Sequence, residues 1–227
     1  INFFKYHFRP FIKATLLLVF IPSAFSQKKI PKQKKVIINS IEEKREKLIE
    51  ISDNIWEAAE LSLREFKSSK YLSDYAEENG FTVKKGVAGI STAFTASYGS
   101  GRPIIGIMGE FDANAGISQK KQPTKEPLIK GAAGHGCGHN LFGTASLAAA
   151  IAIKEQIESG EISGTVIFYG TPAEETIFAK VWMVREGLFD KLDLCMDWHP
   201  GSEIAAATQS SKALVDFRLK FFGNAAH

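Results

Sequence analysis

Residues 141–157 are apolar almost without a break as far as Ile153. A helix with so little polar surface has to be covered on most of its faces, so the fold must supply further layers around it. Short apolar runs at 81–85, 91–98, 103–108 (PIIGIM), 165–169 (TVIFY) and 192–196 (LDLCM) read as strands. Helical spacing fits 36–59, where Ile41, Leu48, Ile51, Ile55 and Ala58–Ala59 carry the apolar face. It also fits 67–79, with Tyr71, Leu72, Tyr75 and Ala76 on one side and Gly80 as a stop, and it fits 180–188. Strands alternating with helices predict an α/β fold, a mainly parallel sheet flanked by helices. With 227 residues, 44% of them hydrophobic and 23% charged, the chain can bury one sizeable core.

The two ends read differently from the middle. Residues 1–13 carry Lys5, Arg9 and Lys13 with no acid, then 14–21 (ATLLLVFI) is an apolar block followed by Pro22 and Ala24-Phe25-Ser26. That is the pattern of a secretory signal over 1–26, which predicts a secreted or periplasmic protein. The block is too short to span a bilayer comfortably, which argues against a stable membrane anchor. Those three cations account for the whole net charge of +3, so the remainder is neutral and makes no electrostatic case for nucleic acid. Residues 27–35 read as a basic, solvated linker and 36–210 as the body of a domain. Residues 213–222 (ALVDFRLKFF) alternate like an exposed strand that opens a further unit over 211–227.

The chemistry-bearing residues cluster. Immediately before the apolar helix, GHGCGHN places His135, Cys137 and His139 at alternate positions, and Cys137 and His139 are donors suited to zinc and its neighbours. A thiolate ahead of a helix is also favoured by the unpaired N–H groups there. Cys-x-His alone is a weak signal. It gains weight from Asp112 after 103–108, Glu174–Glu175 in GTPAEE after 165–169, and His199 in DWHP after 192–196. All follow the carboxyl ends of strand-like runs, where open α/β sheets place their ligands. The polar stretch 113–134 fits a rim or lid over such a site. Cys137 and Cys195 offer a disulfide in an exported protein, but Cys195 lies in a strand-like run and reads as a small buried hydrophobe.

GHGCGHN, GTPAEE and DWHP, in this order and spacing, resemble the di-metal amidohydrolase and metallopeptidase family, which includes aminoacylases, carboxypeptidase G and the auxin-conjugate hydrolases. Within it the resemblance is nearest to the B-type subunits of p-aminobenzoyl-glutamate hydrolase, and Asn140, where many members have Asp, fits that branch. The resemblance covers roughly 37–227 and implies a di-zinc exopeptidase-like catalytic domain interrupted by an inserted α+β lid and dimerisation domain. It implies that Cys137, His139, Glu175 and His199 hold two divalent ions, Zn or Mn, and that Glu174 is the general base of amide hydrolysis. Asp112 would orient an imidazole ligand, and His227 would steady the oxyanion in the active site of a partner. The substrates implied are N-acyl or aminobenzoyl amino acids, and the partner a second copy or a related second chain. His135 reads instead as a hydrogen-bonding loop residue and Trp198 as packing beside His199.

Thr176-Ile177-Phe178 departs from the glycine-rich segment the family carries after its glutamate pair. That departure is the one feature favouring a non-catalytic metal-binding homologue. A third reading makes Cys137 a nucleophile with His139 as its base, though it leaves the glutamate pair without a purpose. The family closes its metal site with a further histidine, and His7, His135, His139, His199 and His227 leave no candidate for it. The expectation is therefore a partial chain, inactive by itself.

Overall fold

A computed structural model describes residues 30–204, 206 and 219–223. The expected leader over 1–26 and His227 lie outside the described residues. So does most of the strand expected over 213–222, and 219–222 themselves carry no strand.

The expected helix over 36–59 is two helices, α1 (Lys32–Glu43) and α2 (Arg45–Ala58), broken at Lys44, whose backbone leaves helical geometry at φ −100°, ψ 3°. Lys44 pairs there with Glu155, 2.6 Å away. The first turn of α1 takes up 32–35 of the expected linker, and its lysines stay exposed. In α2, Leu48, Ile51 and Ile55 recur every three or four residues and are buried, the stripe that a core-facing helix requires. α3 (Phe66–Glu78) buries Leu72, Tyr75 and Ala76 and ends ahead of Gly80, which takes the left-handed φ of +83°.

The strands are β1 (Thr82–Lys85), β2 (Phe94–Ser100), β3 (Ile104–Glu110), β4 (Gly164–Thr171) and β5 (Leu194–Met196). Among the described residues they form one five-stranded sheet in the order β1-β2-β4-β3-β5. The sheet is mixed. β4, β3 and β5 run parallel, while β2 lies antiparallel to both β4 and β1. α4 (His139–Glu158) makes the crossover between β3 and β4 and packs on both. Period two along the strands sends Ile105 and Ile107, Val166 and Phe168 into the core with α4, and turns Tyr169 to the other face, stacked on Phe189 at 4.6 Å.

α4 can lie this close to β3 because Gly143 has no side chain. A Cβ there would sit 2.6 Å from the Glu110 carbonyl oxygen and 3.1 Å from Leu72. After β4 come the single turn α5 (Glu174–Ile177) and α6 (Ala179–Arg185). Ala173 (φ 56°) and Phe178 (φ 53°) bracket α5, both in the left-handed region. Cys195, expected as a buried hydrophobe, is exposed because β5 is an edge strand with no neighbour on its far side among the described residues; both cysteines are free thiols. Among the described residues no helix is long and apolar enough to cross a membrane.

Candidate metal centre

The carboxyl ends of β3, β4 and β5 meet the start of α4, and the site is built there. Past Glu110 the chain leaves the sheet still extended, so Glu110 and Asp112 reach the same imidazole. Asp112 is 1% exposed. Its Oδ1 lies 3.1 Å from His139 Nδ1, which also faces the Asp112 carbonyl oxygen at 3.0 Å. Both neighbours can only accept, so Nδ1 carries the proton and Nε2 presents its lone pair. The other oxygen, Oδ2, accepts the Glu175 backbone N–H at 2.9 Å and the Ser62 hydroxyl at 3.1 Å. One carboxylate thus fixes the ring of His139 and the start of α5 together.

His139 is fully buried, yet Nε2 has no hydrogen-bond partner. Glu110 Oε2 is 2.9 Å away without bonding alignment, and Glu175 Oε1 stands at 3.8 Å, itself buried and without a partner. Burial pushes this imidazole's pKa down, but the hydrogen bond to Asp112 and the charges of Asp112, Glu175 and Glu174 overrule it and raise it. The pocket calls for positive charge.

Cys137 and His199 supply the remaining donors. The Cys137 thiol lies against the Glu175 carboxylate, whose hydrogen bond, with burial and its charge, pushes the thiol up to about 11. The carboxylate beside the thiol opposes the helix end, and a bound cation is what would favour the thiolate. His199 is exposed, with Nδ1 2.9 Å from the Pro200 carbonyl and its ring edge-on to His139 at 5.6 Å. The ligand atoms of Cys137, His139 and His199 lie within 4.8 Å of one another, as do those of Glu110, His139 and Glu174. Glu175, expected as a ligand, falls in neither group, while Glu174, expected as the base, falls in the second. Glu175 Oε1 and His139 Nε2 are still the orphaned buried atoms beside them, and a thiol, two imidazoles and carboxylates so placed fit a divalent ion of the zinc type. Glu174 sits half-buried beside them, its carboxyl raised by burial and by the charge of Glu175.

His135 behaves as a loop residue, its Nε2 3.1 Å from the Ile55 carbonyl. Trp198 packs on Phe142 at 5.6 Å and donates to Ser146. Asn140 donates to the Ser52 hydroxyl at 3.1 Å, a structural contact between α4 and α2. Of the Thr176–Phe178 departure, Phe178 occupies the left-handed position that a glycine would fill without strain. Three supports stand outside the motifs that mark the site in the sequence. Glu110 is buried in an ion pair with Lys180, and its two-residue offset from Asp112 is the only local signal for it. Asn114 receives the backbone N–H of Cys137 at 3.3 Å and of Gly136 at 3.1 Å, shaping the cysteine loop from within the polar stretch read as a rim. Ser62 belongs to a segment with no periodic signal at all.

No family model matches the sequence. The fold is shared with a dinuclear metal-binding peptidase of the M20 family from Bacillus subtilis, at TM-score 0.56 and 22% identity over 71% of this chain and 42% of that one. The chain belongs to this family of amidohydrolases and peptidases. Among its relatives, the B-type subunit of p-aminobenzoyl-glutamate hydrolase from Escherichia coli K12 is 44% identical over 194 residues, covering 84% of this chain and 40% of that protein. The Xaa-Arg dipeptidase of Mus musculus is 29% identical over 91% of this chain and 47% of its own length. The chain therefore spans less than half the length of these relatives.

Proposed function

We propose that the protein is a metal-dependent hydrolase of amide bonds in N-acyl or aminobenzoyl amino acids, the p-aminobenzoyl-glutamate type being the first to test. The observation that carries this reading is the Asp112 bridge: it orients His139 and Glu175 so that Nε2 and Oε1, both buried and unpartnered, face one another at 3.8 Å. Cys137, His139, Glu175 and His199 would hold the ions, zinc on the softness of the thiol or manganese. When bound, two divalent ions supply Lewis acidity that polarises the amide carbonyl and acidifies the attacking water.

The protein's own groups do the rest. Glu174 takes the proton of the attacking water and returns it to the leaving amine nitrogen, so the carboxylate is regenerated. Asp112 keeps the proton on Nδ1 of His139 and so keeps Nε2 available. The Cys137-nucleophile alternative fares poorly: the carboxylate of Glu175 pushes the thiol up to about 11, and neither ring nitrogen of His139 bonds it, Nδ1 facing Asp112 and Nε2 having no hydrogen-bond partner. The leading residues would direct export, His227 would act in the active site of a partner, and, as with the B subunit of the Escherichia coli relative, a second subunit would complete the enzyme.

Metal counting on the full chain tests it, wild type beside Cys137→Ala and Glu174→Gln. The expected result is about two ions per chain, the stoichiometry of the dinuclear relative, falling in Cys137→Ala. Glu174→Gln should keep its metal and lose about 10²–10⁴ in rate on p-aminobenzoyl-glutamate or N-acyl amino acids. A folded, metal-free wild type would overturn the reading; metal without hydrolysis would favour the non-catalytic homologue.

A further inference from the structure

Glu65 is a charged group buried to 0% exposure at the start of α3, and nothing in the proposed chemistry uses it. Its two carboxylate oxygens are both engaged. Oε2 accepts the hydroxyl of Thr92, itself 1% exposed, at 3.0 Å. Oε1 accepts the backbone N–H of Ala173 at 2.9 Å. Ala173 is the left-handed residue immediately before Glu174, and without Glu65 its N–H would be a buried donor with no partner.

The neighbours of Glu65 in sequence do related work. The Ser62 hydroxyl donates to Asp112, and the Glu60 carbonyl accepts the Ala113 N–H at 2.8 Å. The Glu60 carboxylate then caps α3 through the N–H groups of Lys67 and Ser68. Residues 60–65 therefore form a strap that grips both site-bearing turns, the one after β3 and the one after β4. Among the described residues, the direct grip of the strap on the second rests on Glu65 alone.

We propose that Glu65 is a positioning residue for Glu174: by holding Ala173 in its left-handed conformation it sets the direction in which the carboxylate pair leaves β4. This rests on the reading of Glu174 as the base. A left-handed alanine persists only where its surroundings over-determine it, and the Glu65 hydrogen bond is the specific polar restraint on that residue. Glutamine at 65 can keep both contacts, accepting from Ala173 with its oxygen and donating its amide to the Thr92 hydroxyl, which can accept. Alanine can keep neither.

The test compares Glu65→Ala, Glu65→Gln and Thr92→Val in the full chain, with metal supplied as zinc or manganese. Hydrogen exchange over 172–176 is measured alongside kcat, KM and metal content. Glu65→Ala should lose protection at Ala173 and about 10- to 100-fold in kcat, with KM and metal content near wild type. Glu65→Gln should restore both readouts to within about threefold. Should Glu65→Ala fail to fold, Thr92→Val, which frees one oxygen of Glu65, must still raise exchange at Ala173. Unchanged exchange at Ala173 in Glu65→Ala, or in Thr92→Val where Glu65→Ala does not fold, overturns the proposal, and so does a kcat loss that only tracks lost metal or lost folded protein. A wild type that hydrolyses no amide sinks the hydrolase reading alone, because the exchange comparison still judges the grip of Glu65 on Ala173.

Discussion

Asp112 makes one carboxylate responsible for two donors. Replacing it with Asn leaves an oxygen for the His139 N–H but turns an amide toward the Glu175 backbone N–H, donor against donor. Asp112→Asn should therefore weaken zinc or manganese binding by about 10- to 100-fold, as judged by competition with a chromogenic chelator, while the fold persists. At this scale much of the site is legible in the sequence, because Cys137, His139, Glu174, Glu175 and His199 stand in compact motifs and each motif adjoins a strand-like or helical run. The supports are not. Ser62, Glu65 and Asn114 act through contacts 50, 108 and 23 residues away along the chain, and no local pattern encodes such distances.

The elements are the most legible layer, since the period of apolar residues reports burial directly. α4, β3 and β4 fall within a few residues of where periodicity places them. The break between α1 and α2 escapes such a reading because the apolar spacing runs through it; at the break Lys44 pairs with Glu155. That contact makes a pH prediction. Burial pushes the Glu155 carboxyl up, but the hydrogen bonds of Lys44 and Ser40 and the lysine charge outweigh it and leave the group lowered. A carboxyl lowered in the folded state contributes stability above its unfolded pKa and loses it as pH falls through the folded one. Acidification through the carboxylate range should loosen α1 from α4 before the core melts, and Glu155→Gln at neutral pH should reproduce the effect at roughly 1 kcal/mol or less, seen as faster hydrogen exchange in α1. The helix–sheet contact is stiffer. Gly143→Ala would press a methyl group into the Glu110 carbonyl, so urea unfolding should show a loss on the order of 1–3 kcal/mol.

For the molecule as a whole, the site joins segments around 112, 137–139, 174–175 and 199, which the sheet and the start of α4 bring together. An ion bound there ties all four and binds nothing comparable in the unfolded chain. Thermal unfolding should accordingly move upward with added zinc or manganese, by the equivalent of about 2.7 kcal/mol at a hundredfold excess over Kd, and return on addition of EDTA. An unchanged midpoint would mean that these donors do not act together. Mixed sheet polarity is the least legible feature here, because apolar runs reveal that a strand is buried without revealing which way its neighbour points.

The two left-handed residues around α5 also bear on how this chain can vary. Ala173 and Phe178 close a four-residue helix at both ends, so the segment cannot slide or lengthen in either direction. Each residue of a helix turns the next by about 100°. A single codon gained or lost between Ala173 and Glu174 would swing Glu174 and Glu175 away from His139 together, whereas the long turn-rich stretch from 115 to 133 can absorb the same change at its surface. Within this domain, tolerance to length change is set by handedness at two backbone positions.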